Sequence, residues 1–355
     1  MSFLSFQNIK VSGVAASVPK PVKEIRDLPF FAPGEAEKVI NLTHIERSRI
    51  APKTMCCSDL CYTAADKLLD SLKWNRDEID VLIFVSLSRD YLTPATSAIL
   101  QDRLGLSTEC YAIDVPLACS GYVYGLSVIS SLMSCGLMKK GLLLVGETTS
   151  KLQSPEDKTI WPLHGDAGSA TVLEYEKDAA PICFHFGTDG SRWDAIINPD
   201  GGSRHPFSEK SLVMEEIEPG IVRNRLQSIL DGMNVFGFSI IEPPKSIKKL
   251  CEHFNIDLNK IDYLLLHQAN KYMDDKIGKK LKVPEEKIPF CLMQYGNTSS
   301  TSIPMSIVTA IGKGIEEKRV ETIMCGFGSG LSWGSAYVAL DHIVCPELVE
   351  LDWNE

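Results

Sequence analysis

The chain has 355 residues, 44% of them hydrophobic and 23% charged, with a formal net charge of −10 at pH 7. That composition suits a globular protein with two core-bearing units or one large α/β domain. The acidic balance argues against a nucleic-acid binder, and no apolar run reaches the roughly 18 residues needed to span a bilayer.

Eleven cysteines without regular spacing, and no N-terminal signal peptide, point to free thiols in a reducing cytoplasm. Cys56, Cys57 and Cys61 open a helical pattern over 58–71, with no second ligand pair at finger-like spacing. The seven histidines show no pair at helical metal-ligand spacing either, so no metal site is expected.

Val81–Val85 is a continuous apolar run, expected as a strand buried on both faces, and 95–104 follows as a helix. Tyr111–Val115 alternates like a short strand, and 120–135 carries small and apolar residues at helical spacing. Cys119 lies between them. A helix start leaves unpaired backbone N–H groups and a positive dipole end that favour a thiolate, although a free cysteine often does no more than pack.

Leu142–Val145 is a further buried strand. Gly165-Asp166-Ala167-Gly168 looks like a tight turn before a strand, with Asp166 as a turn former. Helices are expected over 244–254, 271–281 and 303–315, with Pro244 in a first turn and Asp257 starting a short turn. His267 closes the strand pattern that begins at Ile261, at the kind of strand end where sites form in open α/β sheets. Asn297 sits in the polar loop Tyr295–Ser302, where asparagine commonly caps or turns the chain. After the Ile323–Phe327 strand, Gly326-Phe327-Gly328-Ser329-Gly330 lacks the helix of a dinucleotide loop and the spacing of a hydrolase elbow. Exposed backbone N–H groups for an oxyanion, such as that of Ser329, are its plausible use.

An internal echo organises these pieces. Ile79–Val85 matches Ile261–His267 and Leu142–Gly146 matches Thr322–Gly326 at an offset near 180 residues, and Gly168–Leu173 matches Gly334–Leu340 in the same order at a shorter offset. The order indicates two halves of one topology, 1–175 and 176–355, in a layered α/β protein. The offset near 180 residues carries Cys119 close to Asn297, which joins cysteine, histidine and asparagine as parts of one site.

The sequence resembles the β-ketoacyl-acyl carrier protein synthase III family of thiolase-like condensing enzymes over nearly its whole length. The resemblance rests on Ala118-Cys119-Ser120-Gly121, His267-Gln268-Ala269-Asn270, Gly296-Asn297-Thr298-Ser299 and Gly328–Ala336, with Thr188–Ser191 and Gly201–Arg204 in support. It implies the five-layered α-β-α-β-α fold and a homodimer. It also implies self-acylation of Cys119 from an acyl thioester, then decarboxylative condensation with malonyl-acyl carrier protein to a 3-oxoacyl product. His267 and Asn297 would donate to the malonyl thioester oxygen, and the N–H groups of Cys119 and Ser329 would hold the oxyanion. No cofactor or metal is implied.

The departures bear on the acyl donor. The tryptophan and arginine that members loading from coenzyme A carry before a Thr-Gly-Ile turn are missing from Lys38–Ile45, and a further arginine is Lys158, which keeps the charge without the bidentate fork. A carrier-protein-bound donor gains credit. Lys271, Lys276, Lys279, Lys280 and Lys282 crowd one helix suited to an acidic carrier protein, with Lys271, Lys279 and Lys280 as docking residues and Tyr272 replacing a common arginine. Thr93 falls where some members place a phenylalanine against the partner's acyl pocket, which would leave room for a longer or branched chain.

An alternative keeps the fold but passes the acyl group to an oxygen or nitrogen nucleophile. His164, standing where the family has phenylalanine, keeps it open, while His267 with Asn297 favours condensation. A papain-like protease has the same residue order, but its Cys-Gly-Ser-Cys-Trp surround is absent and it has no place for echoed halves.

Overall fold

A computed structural model describes residues 2–353. Eleven strands form one hydrogen-bonded network: β1 Ser2–Phe6, β2 Ile9–Pro19, β3 Val81–Val85, β4 Tyr111–Val115, β5 Lys140–Glu147, β6 Ala167–Tyr175, β7 Ile182–Thr188, β8 Tyr263–Leu266, β9 Arg319–Gly328, β10 Ser332–Val344 and β11 Val349–Leu351. The first sheet runs β2-β6-β5-β3-β4 and the second β1-β7-β10-β9-β8, joined where β10 lies parallel to β2. The pairing senses repeat. Antiparallel, antiparallel, parallel from β2 to β3 is matched from β7 to β8.

Alternation along the strands explains why their runs are apolar throughout. Val81, Ile83 and Val85 turn to the centre of the molecule, whereas Leu82 and Phe84 turn outward. Leu265 and Met324 likewise face the centre, and Leu264, Leu266 and Ile323 the opposite outer layer. Period-two side chains with helices on both faces demand this pattern.

The helices fill three layers. α1 (Cys57–Leu72) covers the outside of the first sheet through Cys61, Ala65 and Leu69. α2 (Gly121–Met133) lies between the sheets and packs Tyr122, Leu126 and Ile129 into the central core. α3 (Glu242–Phe254) and α4 (Lys271–Leu281) cover the outside of the second sheet. Pro243 and Pro244 sit in the first turn of α3, where a missing N–H costs nothing. A Cβ on Gly125 would come within 2.9 Å of Val85 and Leu143, so glycine lets α2 settle on the strands.

α5 (Ser302–Ser306) belongs to the central layer, but the expected single helix to residue 315 is interrupted by a π-helical stretch, Ile307–Ile311, before Gly312–Ile315. The wider turn keeps Ile307, Val308 and Ile311 all buried. Asp166 also departs from expectation. It is fully buried and accepts from the N–H groups of Ala51 (2.8 Å) and Ser150 (3.0 Å) and from the Ser150 hydroxyl, tying two loops instead of forming a turn.

We propose residues 1–175 and 176–355 as the two halves, their junction being the connection between β6 and β7. The termini cross it: β1 pairs with β7, and β11 with β2. Among the described residues no helix is long and apolar enough to cross a membrane.

Candidate active site

Cys119 is held in the turn between β4 and α2, where the Gly121 N–H donates to the Ala118 carbonyl at 2.6 Å. Its half-buried side chain lines a cavity of about 320 Å³ together with His267, Asn297 and Ser329. Sγ lies 3.5 Å from the Ser299 hydroxyl, and the backbone N–H groups of Ser329 and of Cys119 itself point to it. Gly328 backs the thiol: a Cβ there would fall 2.5 Å from the Cys119 Cβ and 2.9 Å from Sγ. Only glycine lets β9 pass so close.

Burial raises the Cys119 thiol pKa, and the hydrogen bonds from Ser299 and the backbone pull it only part of the way back. Desolvation of the charged form thus works against the thiolate that a helix start favours.

His267 follows β8, its N–H donating to the Cys325 carbonyl at 2.7 Å. The ring is 2% exposed, edge-on to Phe327, with Nδ1 2.9 Å from Ser302 Oγ and 3.1 Å from the Ser299 carbonyl. With Nδ1 occupied behind the site, Nε2 is the nitrogen left for the cavity. Burial pushes the imidazole down to about 3, so it is neutral. The last residue of its motif, Asn270, caps α4 by accepting from the Met273 N–H at 2.9 Å.

The Asn297 loop is strapped to the 163–165 segment: the Asn297 N–H donates to the Leu163 carbonyl (2.8 Å) and the Gly165 N–H to the Asn297 carbonyl (3.1 Å). Its side chain serves a local turn and also reaches the cavity wall. Oδ1 accepts from the Ser299 N–H at 2.8 Å, a local turn, while Nδ2 stands 3.4 Å from His164 Nε2 at the cavity wall. His164 Nδ1 is 3.2 Å from the Ile160 carbonyl and donates to it, so Nε2 carries the lone pair that receives the Asn297 amide. Burial lowers His164 to about 4, which keeps it neutral.

The other residues singled out in the sequence separate. Thr93 is exposed and does not line the cavity of its own chain. Lys271 is engaged by Asp275 and, at 2.7 Å, by Glu285, whereas Lys279 and Lys280 are exposed near the end of α4. Lys276 lies over the Tyr272 ring, and Lys158 is 3.8 Å from Glu35.

Sequence reasoning missed Ser299. It is the residue 180 positions beyond Cys119, the offset of the echo, and that was the available signal. Also missed were Glu147, Gln153, Asn198, Ser228 and Ser239 on the cavity wall, polar residues in segments without any motif. Glu147 accepts from the N–H groups of Leu87 (2.9 Å) and Ser88 (3.2 Å), and burial lifts its carboxyl to about 7.

The chain matches two family models, one described as 3-oxoacyl-[acyl-carrier-protein] synthase III over residues 113–190 and the other as its C-terminal part over 251–340. It is 34% identical to a putative 3-oxoacyl-[acyl-carrier-protein] synthase 3 of Campylobacter jejuni, over 93% of this chain and 94% of that one. A β-ketoacyl-[acyl-carrier-protein] synthase III of Streptococcus pyogenes is 33% identical over 93% of this chain and 99% of its own length. Among solved structures, a 3-oxoacyl-(acyl-carrier protein) synthase from Burkholderia xenovorans superposes with a TM-score of 0.92 at 34% identity, covering 99% of both chains.

Proposed function

The chain belongs to the 3-oxoacyl-[acyl-carrier-protein] synthase III family and is a condensing acyltransferase of that type, and on this premise we propose that Cys119 carries the acyl group while His267 and Asn297 hold the malonyl thioester. The observation that supports the reading best is the meeting of Cys119, His267, Asn297 and Ser329 on one cavity.

In the first step the Cys119 sulfur attacks the thioester carbonyl carbon, the carbonyl oxygen receives the N–H groups of Cys119 and Ser329, and the thiol proton leaves with the departing thiol. In the second, the bond from the malonyl carboxylate to its methylene carbon breaks and carbon dioxide departs. The negative charge moves onto the thioester oxygen, where His267 Nε2–H and Asn297 Nδ2–H receive it. The methylene carbon then attacks the acyl carbonyl, and the carbon–sulfur bond to Cys119 breaks as the sulfur takes a proton from solvent. Donors fixed where the charge develops need no reorganisation, and their removal costs on the order of 10²–10³ in rate.

The His267 role requires the proton on Nε2. In the resting structure the Ser302 hydroxyl donates to the Ser299 carbonyl at 2.8 Å and Nδ1 faces that same carbonyl, so the Nε2–H tautomer requires the Ser302 hydroxyl to turn and donate to Nδ1, 2.9 Å away. The charge that develops on oxygen is held by these donors and no step changes an oxidation state through an external electron carrier, so the scheme calls for no metal or redox cofactor. Asn297 needs one amide proton for substrate, and its other can stay on His164.

We assign the donor as a carrier-protein thioester, docked in part by the exposed Lys279 and Lys280; Lys271 contributes less because acidic neighbours already neutralise it. A cytoplasmic homodimer completes the reading, with Thr93 facing the cavity of the second copy. The deciding experiment is intact-mass analysis of wild type and Cys119→Ala after incubation with acyl-coenzyme A and acyl-carrier protein sets, with carbon dioxide release from malonyl-carrier protein measured in parallel. The reading expects one acyl adduct, absent in C119A, and release of carbon dioxide. An adduct that persists in C119A refutes it.

A further inference from the structure

The wall of the cavity that holds Cys119 contains polar side chains that the chemistry above does not use. Asn198 and Ser228 satisfy one another and the main chain: Asn198 Nδ2 donates to the Leu226 carbonyl at 2.8 Å, and Ser228 Oγ lies 3.0 Å from both Asn198 Oδ1 and the Leu152 carbonyl. The Ser228 N–H also donates to that carbonyl, at 2.7 Å. These bonds fix the backbone at Leu152 and so the position of its neighbour, Gln153. Gln153 is 5% exposed, and its Oε1 has no hydrogen-bond partner. Ser239, 0% exposed on the same cavity, has an unpartnered hydroxyl.

Buried polar atoms are usually paired, and of the twelve unpartnered side-chain atoms among the described residues these two belong to residues that line the ligand-sized cavity, where a bound group can supply the missing partners. A plain alkyl chain would strand both. We propose that this wall selects an acyl group bearing an uncharged hydrogen-bond donor, a hydroxyl or an amide N–H, whose donor is received by Gln153 Oε1. Ser239 provides a second contact to the same polar substrate. The inference rests on the reading of Cys119 as the acylated residue. It adds the substrate class, since a site built to hydrogen-bond a hydroxyl rejects the analogue that lacks it far better than an apolar pocket rejects an added one.

The test is the rate of Cys119 acylation, followed by intact mass, with matched thioesters on coenzyme A and on acyl carrier protein. Straight-chain butanoyl and hexanoyl groups compete with their 3-hydroxy and ω-hydroxy counterparts, in wild type, Gln153→Leu and Ser239→Ala. The expected result is a preference of about tenfold or more for at least one hydroxyacyl group in wild type, falling towards unity in Q153L. Alkyl groups loading as fast as every hydroxyacyl partner in wild type overturn the proposal, and that comparison stands even if Q153L does not fold. A wild-type preference that survives unchanged in both variants overturns the assignment to this wall. Folded wild type that accepts no acyl group from any donor refutes the nucleophile reading itself, an outcome distinct from loading without preference.

Discussion

Replacing Gly328 by alanine places a methyl group 2.5 Å from the Cys119 Cβ and 2.9 Å from its sulfur. Carbon atoms in contact normally sit about 3.5–4.0 Å apart, so one side must retreat by about 1 Å. Neither is free to do so. Gly328 is in ladder register with Ser332 in β10, and the Cys119 turn also touches β9 at Gly326, where a Cβ would lie 3.0 Å from the Cys119 carbonyl oxygen. Overpacking of this kind costs roughly 1–3 kcal/mol of stability. A reacting group misplaced by about 1 Å loses about 10²-fold in rate. Single-turnover acylation of Cys119 by intact mass, with thermal melting alongside, measures both. Gly314→Ala is the control, because nothing lies within 4 Å of a Cβ there. G328A is expected to melt lower and to load about a hundredfold more slowly, with G314A loading like wild type. Wild-type loading and melting in G328A would refute the argument that the glycine exists to seat the nucleophile.

His267→Ala and Asn297→Ala are expected to retain acylation of Cys119 and to lose carbon dioxide release from malonyl-carrier protein by on the order of 10²–10³-fold; equal loss of both steps would count against the division of roles. The double reversal Lys279→Glu/Lys280→Glu is expected to raise KM for malonyl-carrier protein several-fold at low salt, with the difference shrinking as salt screens it. A KM independent of these charges removes α4 from docking. Asp274 is fully buried with both carboxyl oxygens unpartnered, and burial holds its pKa well above the ordinary value. A raised folded-state pKa means that its stability contribution is complete below the unfolded pKa of about 3.9 and is lost as pH rises towards the folded value. Asp274→Asn is therefore expected to match wild type near pH 4 and to become more stable above it, by up to about 1.4 kcal/mol per pH unit across that window. Parallel denaturation curves for the two proteins across pH would contradict this.

Local pattern was enough for much of the fold. The strands Val81–Val85 and Tyr111–Val115 and the helix Lys271–Leu281 have the limits read from the sequence, since buried strands and capped helices write their ends into residue type. The π-helical turn at Ile307–Ile311 left no such mark, because it answers to packing between the two sheets. Asp166 misled for the same reason. Its neighbours Gly165 and Gly168 favour a turn, but its partners Ala51 and Ser150 are distant in sequence.

The chain by itself pointed to the residues proposed to hold the chemistry. Cys119, His267 and Asn297 each stand in a motif set by local geometry: a strand-to-helix turn, a strand end and a polar loop. Their protonation was decided by the tertiary structure, for pKa depends on how much water is excluded and which donors remain. Burial pushes the Cys119 thiol pKa up and makes His267 and His164 neutral imidazoles. The character of the substrate wall was also decided there. Gln153, Asn198, Ser228 and Ser239 are ordinary surface types in sequence, and only the fold brings them to one cavity wall, with Gln153 and Ser239 taken out of water.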